Sequence, residues 1–91
     1  MIVNTNCLFG INQKFIEPLK KIDKQYRVVN DYGIEVTAYT EKSVYINPPI
    51  EINNEYIATF VDKLRSITTE LKITETIDGL KLELAESTTH N

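Results

Sequence analysis

The 91-residue chain carries a net charge of −3, with 42% apolar and 25% charged residues; that is room for one domain and too little for two. This balance suits an ordinary folded globule and argues against disorder outside the last few positions, while the acidic surplus argues against a surface that binds nucleic acid everywhere. No apolar run approaches the roughly 18 residues of a membrane span.

Met1 to Ile11 lacks the basic start and cleavage site of a signal peptide. Cys7 has no second cysteine to pair with, so a cytoplasmic protein without contact to a membrane is expected. Twelve Ile, ten Thr and eight Asn with no Trp suggest an AT-rich coding genome of the kind found in low-GC bacteria and their phages. The expected domain runs over 1–86, followed by a polar tail at 87–91.

In chain order, residues 1–9 alternate imperfectly and read as a strand. Phe15, Ile16, Leu19 and Ile22 have helical spacing, but Pro18 interrupts it. Proline is tolerated in a first turn and costly in a helix interior, so the spacing predicts a short helix over Pro18 to Gln25. The period then changes to two. Tyr26 to Val29, a turn at 30–33 with Gly33 free for positive φ, and Ile34 to Thr40 form a predicted hairpin. A loop at Thr40, Glu41 and Lys42 leads to a third strand with Val44 and Ile46, which Pro48 and Pro49 terminate.

The strongest signal lies between Asn53 and Thr69. Ile57, Phe60, Val61, Leu64 and Ile67 fall within an arc of about 120° on a helix, with Glu55, Thr59, Asp62 and Ser66 facing away. Asn53 can cap this helix, and Ile52 with Ile57 can staple its start. A final hairpin follows around Asp78 and Gly79, in a register that pairs Ile77 with Leu80, Glu75 with Leu82 and Ile73 with Leu84. The fold class is therefore α+β: an antiparallel sheet of about five strands, meander plus C-terminal hairpin, on one long amphipathic helix with a short N-terminal helix.

Catalytic chemistry needs a nucleophile, a base and a group to orient them. His90 is the only histidine and lies in the polar tail, and the glycines at 10, 33 and 79 stand singly, so there is no phosphate loop or dinucleotide fingerprint. One Cys and one His would leave carboxylates to supply most of a zinc site's ligands, so no zinc is expected. Glu75 and Glu83 point to opposite faces, and Asp78 serves the turn. A non-enzymatic protein without cofactor or metal is expected.

Two features remain. If Val29, Ile34, Val36, Ala38, Val44 and Ile46 face the core, then Tyr26, Tyr39 and Tyr45 gather on the opposite face with Val28 and Thr37, and tyrosine is a favoured interface residue. Between Lys14 and Arg27, five basic residues stand against Glu17 and Asp23. The candidate binding residues are thus Tyr26, Tyr39, Tyr45, Lys20, Lys21, Lys24 and Arg27. The first reading is a small acidic binding protein whose partner is another protein or a second copy of itself as a homodimer. It would engage that partner through the tyrosine face or an open sheet edge; in size and composition it is like small regulators and inhibitors encoded by phages or mobile elements. The alternative is a single-stranded nucleic-acid-binding module, with bases stacked on the tyrosines and phosphates met by the basic 14–27 segment. That alternative requires the basic segment to border the tyrosine face. A competing arrangement has Leu19 and Ile22 of the N-terminal helix cover it.

Overall fold

The computed structural model describes residues 10–29, 31–49 and 54–85. The strand expected at 1–9, the cap and staple at Asn53 and Ile52, and the tail at 87–91 lie outside the described residues. A 3-10 turn, Gln13–Phe15, runs straight into helix α1, Ile16–Val29. Strands β1 (Val36–Tyr39) and β2 (Ser43–Ile46) follow, then helix α2 (Asn54–Ile67) and strands β3 (Leu71–Thr76) and β4 (Gly79–Leu84). They form one antiparallel sheet in the order β1-β2-β4-β3. β4 thus inserts between β2 and β3, which run in the same direction and are joined by α2.

The α+β class agrees with the sequence reading, but its details need correction. The sheet has four strands among the described residues, and there are two helices of 14 residues each rather than one long and one short. Tyr26 to Val29 is the last turn of α1, not a strand. The reason is visible in the buried stripe: Phe15, Leu19, Ile22 and Tyr26 recur at helical spacing and all are fully buried. Extending the helix by one turn adds Tyr26 to that stripe, which outweighs the weak strand preference of Val28 and Val29. Pro18 is the third residue of α1, inside the first turn as its chemistry requires. Asn12 serves the entry, its side-chain oxygen accepting the Lys14 N–H at 3.0 Å.

Both helices lie on one face of the sheet around a single core. Val36, Val44, Ile46, Leu71, Ile73, Leu80 and Leu82 form its floor, and Phe60, Val61 and Leu64 of α2 pack with the α1 stripe above them. Ile57, Ile67 and Tyr56 close the cluster half-buried. The Tyr26 ring meets the edge of Phe60 at 5.4 Å between centroids and links the two helices. Its phenol donates to the Asn47 carbonyl at 2.6 Å, so a buried hydroxyl is satisfied and the end of β2 is tied to α1.

The C-terminal hairpin exists, but in a different register. Leu71 pairs with Leu84, Ile73 with Leu82 and Glu75 with Leu80, which makes Ile77 and Asp78 the two-residue loop and leaves Gly79 in the strand. A shift of two residues conserves the side-chain face, so the leucines still point to the core. Ile77 instead projects into solvent, 98% exposed.

Candidate functional site

One face of the sheet is uncovered among the described residues. Strand alternation places Tyr45, Lys72, Thr74, Lys81 and Glu83 there, with Ser43 on the same side but buried, its hydroxyl 2.7 Å from Thr40 Oγ1. Cross-strand pairing sets them in two rows, Ser43–Glu83–Lys72 and Tyr45–Lys81–Thr74. Lys81 lies over the Tyr45 ring, its Nζ 5.7 Å from the centroid, and reaches Glu83 Oε2 at 3.5 Å. The Glu83 carboxylate, and after it Tyr45, raises the Lys81 pKa above the ordinary lysine value, so the ammonium stays charged in this contact. Beside these rows an open cleft is lined by Lys42, Lys72, Glu83, Leu84 and Ala85. Lys42 comes from the β1–β2 turn, which is held down where the Leu84 N–H meets the Lys42 carbonyl at 3.4 Å.

The expected tyrosine cluster does not assemble. Tyr26 is 0% exposed in the core, because it belongs to a helix, and burial pushes its phenol pKa far up. Tyr39 is turned to the helix side by a β-bulge: Val36 opposes Ile46 but Ala38 opposes Tyr45, so one extra residue enters β1 at Thr37 and the alternation flips. Tyr39 then pairs with the buried Val44, 44% exposed at the sheet edge with its hydroxyl against Gly10. Tyr45 alone of the three stands on the open face.

The basic residues do not border it either. Lys20, Lys21 and Lys24 are exposed on the outer side of α1, across the helix layer from Tyr45, and Lys20 is paired with Glu17 at 3.5 Å. Arg27 is engaged in holding the chain. Its Nε meets Asp23 Oδ2 at 3.3 Å, and its other nitrogens donate to the carbonyls of Asp31 and Tyr32 at 3.0 and 3.3 Å. Asp23, 1% exposed, accepts the Ile34 N–H on its second oxygen at 2.9 Å. This clamp shapes the link from α1 to β1, where Gly33 takes φ +73° and a Cβ would collide with the Asp23 carboxylate. Asp23→Ala strands a buried N–H and frees the guanidinium, and should lower stability by about 1 to 3 kcal/mol in a denaturant melt. A change below about 0.5 kcal/mol would remove the clamp's role.

Lys42, Lys72 and Lys81 are the residues that sequence reasoning missed. Each β3 and β4 lysine sits in the polar half of an apolar alternation, a pattern that marks an outward face without saying which strand adjoins it. Among the described residues no three His, Cys, Asp or Glu side chains group as metal ligands, and no helix is long and apolar enough to cross a membrane. Comparisons with protein-family models, curated proteins and solved structures find no match.

Proposed function

We propose that this chain is a small non-enzymatic binding module of the cytoplasm that engages another protein through the open face of its sheet, centred on Tyr45 and Lys81. The observation that carries the reading is the one-sided packing: both helices cover the same face, and the other presents a half-buried tyrosine under a lysine. Tyrosine contributes large contact area at small rotamer cost, which is why it recurs in recognition surfaces. Its size and composition suit a regulator or inhibitor of the kind carried by phages or mobile elements.

The face is a better candidate than either sheet edge. β1 has four residues and carries the bulge at Thr37, and on the opposite edge Arg65 of α2 donates to the Ile73 carbonyl of β3 at 2.9 Å. Bulges and covering charges are the usual ways in which edge strands are kept from pairing with other chains. The nucleic-acid alternative loses its geometric basis, since the α1 lysines and Tyr45 lie on opposite sides of the molecule.

The test is capture of the partner from an extract of the native cells. Tyr45→Ser combined with Lys81→Ser should reduce capture by at least about tenfold while stability changes by less than about 1 kcal/mol. Changing Lys20, Lys21 and Lys24 together to Ser should leave capture as it is. The reverse pattern would transfer the interface to α1.

A further inference from the structure

Resting on that reading, we infer that the partner segment on the open face is acidic, and that its carboxylates seat between Lys42 and Lys72 beside the Lys81–Glu83 pair. The argument is charge complementarity. A chain with a net charge of −3 brings three lysines and one glutamate to this corner. Glu83 is already committed to Lys81 at 3.5 Å. Lys42 and Lys72 make no ion pair among the described residues, yet both line the same cleft. The cleft lining holds two ammonium groups against one carboxylate, Glu83, which stands cross-strand from Lys72 and is shared with Lys81, so the corner keeps a positive surplus that an incoming carboxylate offsets.

The other occupants fit less well. Two copies joined face to face about an axis through this corner would set lysine against lysine. A single-stranded nucleic acid needs successive stacking platforms along a basic track, and among the described residues this face holds one aromatic ring, Tyr45.

The experiment is fluorescence anisotropy of the full chain with a labelled peptide of alternating Glu and Ser, and with a single-stranded oligonucleotide of equal net charge. The peptide should bind at low salt, lose affinity as salt rises, and bind at least about tenfold more weakly to Lys42→Glu combined with Lys72→Glu. Amide shifts in NMR should concentrate on β2, β3 and β4. Lys20→Glu combined with Lys24→Glu, which alters net charge equally, should weaken the peptide by less than about threefold. Four results overturn the inference: no peptide binding at low salt, equal weakening by the two charge-reversed pairs, tighter binding of the oligonucleotide, or peptide-induced shifts on the helices. If the peptide fails while the Tyr45 and Lys81 variant still abolishes capture, the open face remains the interface and its partner is not acidic.

Discussion

Leu64→Ala should cost about 2 to 5 kcal/mol and lower the melting temperature by about 10 °C or more. Leu64 is 0% exposed, at the centre of the α2 stripe, packed with α1 on one side and the sheet on the other. Both neighbours are anchored elsewhere, α1 through the Tyr26 hydrogen bond to Asn47 and the sheet through its ladders. The site cannot collapse freely, so a cavity remains, and the cost exceeds the transfer free energy of the missing methyl groups. A domain of this size holds about 5 to 15 kcal/mol in all, so the substitution removes a large share of it. Ile57→Ala, at a half-buried position on the same helix, should cost about 1 kcal/mol and calibrate the comparison. A Leu64→Ala melt within about 2 °C of the parent would mean that α2 does not dock through this stripe.

That docking was legible because it is local. Apolar residues at Ile57, Phe60, Val61 and Leu64 repeat at the period of a helix, and Leu71, Ile73, Leu80 and Leu82 repeat at the period of a strand, whatever lies elsewhere in the chain. The end of α1 was not legible for the opposite reason. Tyr26 is helical because Phe60 and the Asn47 carbonyl receive it, and neither is near it in sequence. Asp23 shows the same limit. Its spacing to Arg27 suits a helical ion pair, but its second duty, accepting the Ile34 N–H, exists only once β1 has folded back beside α1.

The candidate site divides along the same line. Tyr45 follows from simple alternation with Val44 and Ile46. Tyr39 needed the bulge at Thr37, which no glycine announces, and one inserted residue was enough to put it on the helix side. The lysines needed the strand order: Lys81 meets Tyr45 only because β4, and not β3, lies next to β2. Pairings between strands separated by a whole helix are set by the packed core, and alternation carries no record of them.

Gly79 shows why the hairpin register departs from the turn signal of its own sequence, and Gly79→Ala should cost about 3 to 5 kcal/mol. An Asp-Gly pair ordinarily forms the loop itself, yet here the loop is Ile77–Asp78 and Gly79 opens β4. At that point β4 passes so close to the end of β2 that a Cβ on Gly79 would run into the Ile46 carbonyl oxygen, with the Asn47 and Pro48 backbone only 3.1 Å away. The obstacle is main chain in a paired strand, so no rotamer can relieve it, and φ of +155° adds strain for any side chain. The glycine is held for close approach between strands rather than for the turn. Ile77→Asn separates the two registers. In the observed one Ile77 is exposed and its loss should change stability by less than about 0.5 kcal/mol. Were Asp78–Gly79 the loop, Ile77 would face Leu80 on the buried side, and the same change would cost at least about 2 kcal/mol. A tolerated Gly79→Ala together with a damaging Ile77→Asn would assign the hairpin to that second register.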